Sequence, residues 1–307
     1  MAFILPMLLY FLWCSSFPLA KITMMHASPF FLVGMRMLLA SFILWVIYYF
    51  KNKKSLNISK KLIIPLFLLG LFSVYLTNIF EYLGLQKLSS AKTSFIYSLS
   101  PIFSCLLSYV HFKEKMTKRK WLGIAIGLIG IQVALIHEHG FSNFRNIFSH
   151  FSIGEIYVAL AAFFSVYGWI LLRLLVKDGH VSPPIASLYS MFIGGLLALI
   201  QSYTMESWNP TPVFHGHFTG FATSILIMTF ISNILCYNFY GYLLKRYTAT
   251  FLSFIGLLCP IFTSIIGNIL LNEPFSYSII ISTFIILIGG YFIYQEELKL
   301  GYLVKKA

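Results

Sequence analysis

Blocks of apolar residues, each about 20 residues long, alternate with short polar connections along the whole chain. A helix needs about 20 consecutive apolar residues to cross a hydrocarbon core about 30 Å thick. The pattern therefore predicts an all-α integral membrane protein with ten transmembrane helices. The expected spans are approximately residues 2–20, 29–50, 62–84, 91–112, 121–137, 152–175, 183–204, 219–243, 248–271 and 277–296.

The composition excludes a soluble domain. Of the 307 residues, 59% are hydrophobic and 10% are charged, whereas soluble domains carry about 25% charged residues. The longest connections, near 138–151 and 205–218, are too short to fold as a catalytic module. No basic side chain precedes the first apolar run, so we expect an uncleaved first span rather than a signal peptide.

The basic residues predict the orientation of the chain. The net charge is +13, but Lys and Arg lie in the connections between apolar blocks, which argues against a nucleic-acid partner. With ten spans, 17 of the 22 Lys and Arg residues fall on one side, four fall on the other, and Arg36 lies inside a span. Because cytoplasmic loops carry the excess of basic residues, we expect a bacterial inner-membrane protein with both termini in the cytoplasm.

The chain contains an internal repeat. Residues 94–103 read SFIYSLSPIF and residues 253–262 read SFIGLLCPIF, with seven of ten positions identical at an offset of 159. A second match, TNIFEY with SNILCY, occurs at an offset of 155. We predict two five-helix repeats, residues 1–137 and residues 138–307 with the C-terminal tail. Five spans per half force the second copy to enter the membrane upside down, as in many secondary transporters.

Four segments resemble the drug/metabolite transporter superfamily of the EamA type. They are WCSSFPLAK (13–21), PFFLVGMRMLLAS (29–41), the long segment 84–131 from GLQKLSS to GLIGI, and GEIYVALAAFFSVYGWILLRLL (154–175). The resemblance covers nearly the whole chain. It implies ten helices in two inverted five-helix repeats around a central cavity. Members of this superfamily move amino acids, nucleotide-like metabolites, sugars and drugs.

Two prolines lie near the midpoints of predicted spans. Pro101 and Pro260 each remove one helical hydrogen bond and free the carbonyl four residues earlier, at Tyr97 and Gly256. Free carbonyls inside a bilayer usually face protein or a wet cavity. These four residues are therefore candidates for a substrate pathway, and a pair of packing kinks is the alternative.

Arg36 and Glu81 are the clearest charges inside predicted spans. Charges in a membrane are costly, so they usually pair with each other or serve a substrate pathway. Two roles are possible for these residues: a structural ion pair that holds spans 2 and 3 together, or a substrate or proton site. If transport is coupled to protons, Glu81 is the leading candidate.

Other polar and aromatic residues inside the spans are candidates for the lining of the pathway. Asn78 and Asn233 correspond at the offset of 155, and the alternative for both is hydrogen bonding between helices. Aromatic side chains suit a planar or cationic solute, although each is also typical of packing or of the interfacial belt. The aromatic candidates are Trp13, Tyr97, Tyr167, Trp169 and Tyr237.

The four cysteines, Cys14, Cys105, Cys236 and Cys259, all lie in apolar blocks, and none forms a CxxC pair. We therefore expect buried thiols, with neither a disulfide framework nor a metal site.

The residues favour a secondary transporter that moves a small organic metabolite by alternating access, without a cofactor. The chain has no HExxH, GxSxG or GxxxxGK[ST] motif, so we expect no enzymatic activity. A membrane-embedded enzyme and a non-transporting membrane subunit are the alternatives from other classes.

Lys outnumbers Arg 17 to 5, which suggests an AT-rich genome such as that of a host-dependent bacterium. Family members resembling this chain in such bacteria import S-adenosylmethionine; amino-acid or drug export is the alternative. The oligomeric state stays open.

Overall fold

The computed structural model describes residues 4–52, 59–88, 90–139, 152–177, 181–209, 211–271 and 278–302, and its regular elements there are helices. Eight helical segments are long and apolar enough to cross a membrane. They are Ile4–Met24, Pro29–Phe50, Lys60–Leu85, Lys92–Phe112, Ile153–Lys177, Pro183–Met205, Phe218–Leu243 and Ala249–Leu270. An all-helical, multi-pass membrane protein is therefore confirmed.

The remaining two predicted spans, 121–137 and 277–296, correspond to the helices Lys118–His139 and Ser278–Lys299, each 22 residues long, and residue 277 lies outside the described residues. These two helices pack directly against each other. A Cβ atom added to Gly123 would lie 2.7 Å from the backbone oxygen of Gly289, so the two backbones touch and only glycine fits there.

Both proline positions interrupt their helices in the same way. The helix Ser90–Ile96 tightens into a 3-10 turn at Tyr97–Leu99 before Ser100–Phe112, which has Pro101 at its start. In the second half, Ala249–Ile255 tightens at Gly256–Leu258 before Cys259–Leu271, which contains Pro260. The freed Tyr97 carbonyl accepts a hydrogen bond from the Ser100 hydroxyl at 2.5 Å, which satisfies it locally.

A second pair of matching irregularities lies one span earlier in each half. Gly70–Leu76 and Thr229–Cys236 are both π-helical, and their first residues are 159 positions apart, like those of the two 3-10 turns. At this offset Asn78 corresponds to Tyr237 and Glu81 to Tyr240. The offset of 155 had matched Asn78 with Asn233, but it is not the offset that aligns the irregular turns.

The expectation that all four cysteines are thiols is wrong for two of them. Cys14 and Cys259 form a disulfide across 245 residues of sequence, whereas Cys105 and Cys236 are free and buried. Local spacing does not reveal this pair, because only packing brings the end of Ile4–Cys14 to the start of Cys259–Leu271.

Buried ion pairs join the helices at one end of the bundle, called here the ion-pair end. The Arg173 guanidinium lies 2.7 Å from the Glu114 carboxylate, and the Lys120 ammonium lies 3.0 Å from the Glu297 carboxylate. Glu297 also accepts a hydrogen bond from the hydroxyl of Thr248, which caps the helix Ala249–Ile255.

The connection 206–217 joins the helices at the opposite end, called here the loop end. The Glu206 carboxylate accepts hydrogen bonds from the backbone N–H groups of Phe30 and Phe31 at 2.7 and 2.9 Å. It thereby caps the start of Pro29–Asn52, where backbone N–H groups of the first turn lack helical partners. The Nδ1 atoms of His26 and His217 lie 2.9 Å apart beside this contact.

Candidate functional site

A cavity lies between the two ends of the bundle, with about 830 Å³ of space between its lining atoms, the open mouth included. Helices from both halves of the chain line it. Eight of the twelve residues proposed from the sequence meet there: Trp13, Arg36, Asn78, Glu81, Tyr97, Trp169, Tyr237 and Gly256.

The cation of the cavity is Arg36, on the helix Pro29–Asn52, and its side chain is 3% exposed. Its guanidinium donates to the Asn78 side-chain oxygen and to the Met228 sulfur, and it lies 5.5 Å from the centre of the Tyr82 ring. The Asn78 amide is oriented in turn by donating to the Val74 carbonyl at 2.7 Å. All of these partners are neutral.

The carboxylate of the cavity is Glu81, which lies about one helical turn beyond Asn78. It accepts a hydrogen bond from the Tyr97 hydroxyl at 2.7 Å, and Tyr97 opens the 3-10 turn of the first proline break. Within the residues that the structure describes, no salt bridge joins Glu81 to Arg36. The two charges therefore share a cavity without forming the ion pair that the sequence left open.

Four aromatic side chains of the lining, called here the aromatic cluster, are Trp13, Trp169, Tyr237 and Tyr240. The rings of Trp13 and Trp169 meet edge to face with centres 5.2 Å apart. The Tyr237 ring lies 5.4 Å from Trp13 and 5.1 Å from Trp169. The Tyr240 ring lies 4.3 Å from Trp169. The cluster unites three helices, because Trp13 and Trp169 lie on the first and sixth predicted spans and both tyrosines on the eighth.

The other four sequence candidates do not line the cavity. Tyr167 packs against Phe72 with ring centres 4.8 Å apart. The Asn233 amide is buried and donates to the Met37 sulfur at 2.8 Å, a contact between helices. Pro101 and Pro260 act on the cavity indirectly, because the 3-10 turns before them supply Tyr97 and Gly256 to its lining.

Sequence reasoning missed several lining residues, most notably Tyr10 and Tyr240. The hydroxyl of Tyr240 is in hydrogen-bonding contact with Tyr10 and Ser253, so three helices meet around it. The signal for Tyr240 was present in the sequence, because at the offset of 159 this residue corresponds to Glu81. Five serines also line the cavity: Ser16, Ser100, Ser165, Ser232 and Ser253.

The arrangement combines one cation, one carboxylate and a set of aromatic faces in one cavity. Such a lining suits a small solute that carries both signs of charge and a planar or cationic group. Among the described residues, no three His, Cys, Asp or Glu side chains gather as a metal site would require.

A polar and aromatic cavity between membrane-spanning helices is typical of a transporter. The EamA-like transporter family matches residues 1–136 and 152–295, and the chain therefore belongs to that family. A protein of Chlamydia muridarum named S-adenosylmethionine/S-adenosylhomocysteine transporter is 37% identical over 99% of this chain and 95% of its own length. A protein of Chlamydia trachomatis serovar L2 with the same name is 36% identical over 99% of this chain and 92% of its own length. A solved crystal structure superposes with a TM-score of 0.74 over 96% of this chain and 97% of that one, at 15% identity, which shows the shared fold alone.

Proposed function

We propose that this protein is a secondary transporter that exchanges S-adenosylmethionine for S-adenosylhomocysteine across the bacterial inner membrane. The observation that carries the proposal is the meeting of Arg36, Glu81 and the aromatic cluster in one cavity. Both compounds contain an amino-acid end, with an ammonium and a carboxylate, and an adenine ring. S-adenosylmethionine adds a sulfonium cation, which aromatic faces attract. The names of the two chlamydial relatives support the same substrates.

We propose alternating access through ten spans in two inverted five-helix repeats, residues 1–137 and 138–307. The matching 3-10 turns and π-helical segments, each 159 residues apart, support two copies of one unit. The family match on two successive segments supports the same division. In this arrangement the ion-pair end, with its Lys and Arg residues, faces the cytoplasm together with both termini.

The two proline breaks supply the bending points for this motion. Each break lies in a lining helix and begins at a residue that lines the cavity, and the two breaks belong to different proposed repeats. A helix with an interrupted hydrogen-bond ladder bends there at low cost, because the missing bond need not be broken again. Bending of either half then opens the cavity to one side of the membrane.

Purified protein in proteoliposomes tests the proposed function. Vesicles loaded with unlabelled S-adenosylhomocysteine should take up labelled S-adenosylmethionine much faster than empty vesicles, and the recovered label should be chemically unchanged. Liposomes without protein are the control. The amino-acid exporter remains the second candidate, because Arg36 and Glu81 alone suit any free amino acid. Fast exchange of amino acids with no response to either adenosyl compound would establish that candidate instead.

A further inference from the structure

We infer that the cavity binds its substrate in one orientation, with the amino-acid end at Arg36 and Glu81 and the adenosyl end at the aromatic cluster. This inference rests on the proposed function and extends it to single residues. It follows from the positions of the two groups along the helices, from the unpaired charges, and from the chemistry of the rings.

The charged groups lie towards the loop end of the cavity. Arg36 is seven residues from the start of Pro29–Asn52, which is the end that Glu206 caps, so it lies about 10 Å inside that end. Glu81 lies about 6 Å before the end of Thr77–Leu85. That end also lies at the loop end, because Leu83 and Gln86 line a surface pocket together with Glu206.

Two members of the aromatic cluster, Trp169 and Tyr240, lie towards the ion-pair end. Trp169 is four residues before Arg173, whose partner Glu114 belongs to that end. Tyr240 lies near the end of Tyr237–Leu243, shortly before Thr248, whose partner Glu297 belongs to that end as well. Trp169 and Tyr240 therefore lie farther from the loop end than Arg36 and Glu81 do. Tyr237 links the two groups, because its hydroxyl is in hydrogen-bonding contact with Asn78.

The amino-acid end of a substrate supplies what the charged end of the cavity lacks. Arg36 is buried and always charged, but its partners are neutral and its Nε atom has no hydrogen-bond partner. Glu81 has the neutral Tyr97 hydroxyl as its hydrogen-bond donor. Arg36 and Glu81 attract each other only at a distance, and a buried charge without a counter-charge in direct contact is costly. A substrate carboxylate at Arg36 and a substrate ammonium at Glu81 satisfy both groups at once and add no net charge.

The adenosyl end suits the rings for a different reason. Adenine presents two flat faces, and aromatic side chains stack on such faces without needing a particular hydrogen-bond pattern. The sulfonium of S-adenosylmethionine lies between the adenosine and the amino-acid end, so it comes to rest beside the same rings and gains cation–π attraction. The rings carry no negative charge that would have to be paired with a cation, so the neutral sulfur of S-adenosylhomocysteine also fits beside them. One orientation thus serves both exchanged compounds.

The orientation predicts which residue binds which group of the substrate. Inhibition of labelled S-adenosylhomocysteine exchange is measured with S-adenosylhomocysteine, with its analogue lacking the carboxylate, with its analogue lacking the amino group, and with methylthioadenosine, which lacks the whole amino-acid end. Wild-type protein should bind each of the three truncated compounds at least about tenfold more weakly than S-adenosylhomocysteine, because each leaves a buried charge unpaired.

Each of the two charge variants should lose one preference and keep the other. Arg36→Gln should bind S-adenosylhomocysteine and the compound without a carboxylate within about threefold of each other, and it should still reject the compound without an amino group. Glu81→Gln should bind S-adenosylhomocysteine and the compound without an amino group within about threefold of each other, and it should still reject the compound without a carboxylate. Trp169→Leu should lower the affinity for all four compounds by a similar factor. Arg119→Gln alters an exposed cation at the ion-pair end and is the matched control, with an unchanged profile.

The readout is a ratio of affinities, so it does not depend on how much folded protein each preparation contains. If Arg36→Gln does not fold, Arg36→Lys retains a positive charge and should retain the preference for a carboxylate. Wild-type exchange without discrimination among the four compounds, or loss of the carboxylate preference in Glu81→Gln rather than Arg36→Gln, would overturn the orientation alone. Absence of any adenosyl exchange by the wild-type protein would overturn the proposed function itself.

Discussion

Lys120 and Glu297 form a salt bridge of 3.0 Å in which both side chains are completely buried. The pair joins two helices that are far apart in sequence, Lys118–His139 and Ser278–Lys299. The Lys120 ammonium also lies 4.9 Å from the centre of the Tyr302 ring. This contact ties the two helices together at the ion-pair end of the bundle.

We expect Lys120→Met to destabilise the protein by about 3–5 kcal/mol, because it leaves the Glu297 carboxylate buried without its counter-ion. The double variant Lys120→Met with Glu297→Met should recover most of that loss, since no buried charge remains. Thermal unfolding in detergent measures both. Arg119→Met is the control: Arg119 is 65% exposed and lies 3.8 Å from Glu296, so its loss should cost less than about 1 kcal/mol. Equal losses of unfolding free energy in all of these variants would show that the buried pair stabilises the protein no more than the exposed pair does.

The proposed orientation predicts the labelling of two exposed positions. A cysteine at Lys118, at the ion-pair end, should react with a membrane-impermeant maleimide only from the cytoplasm. A cysteine at Thr211, at the loop end, should react only from outside. The wild-type protein is a suitable parent, because its thiols at Cys105 and Cys236 are buried. Labelling of both introduced cysteines from one side would contradict the placement of the two ends.

The proline breaks are expected to matter for transport more than for stability. Pro101→Ala with Pro260→Ala restores a hydrogen-bond donor in each helix and should straighten it. We expect exchange to fall by roughly tenfold, equivalent to about 1.4 kcal/mol on the transport barrier, with the protein still folded in detergent. Flux in proteoliposomes and thermal unfolding are compared for the same preparation. Normal flux in the double variant would assign both prolines to packing.

The disulfide between Cys14 and Cys259 has a simple chemical test. Protein denatured without a reductant should take up two equivalents of iodoacetamide, at Cys105 and Cys236, and four after reduction. Mass spectrometry of the alkylated peptides identifies the sites. The variant Cys14→Ala with Cys259→Ala should then show no change on reduction. Four reactive thiols in the unreduced wild-type protein would exclude the bond.

The class of this protein was predictable from its sequence because the relevant physics is local. A helix crosses a bilayer only if its own residues are apolar over a sufficient length. Pro101 and Pro260 interrupt their helices because proline lacks an N–H group in any surroundings, and both expected interruptions are present. The predicted repeat rests on the same kind of local signal, since seven of the ten positions around the two prolines are identical.

Only the tertiary structure decided which of the candidate residues line the cavity, because the face that a side chain occupies depends on every turn before it. The π-helical segments Gly70–Leu76 and Thr229–Cys236 change the rotation of their helices relative to regular α-helix. Tyr240 therefore enters the cavity, whereas Asn233 packs against Met37. The pairs Cys14–Cys259 and Lys120–Glu297 likewise join residues far apart in sequence. No spacing rule links such residues, and only the packing of the helices brings them into contact.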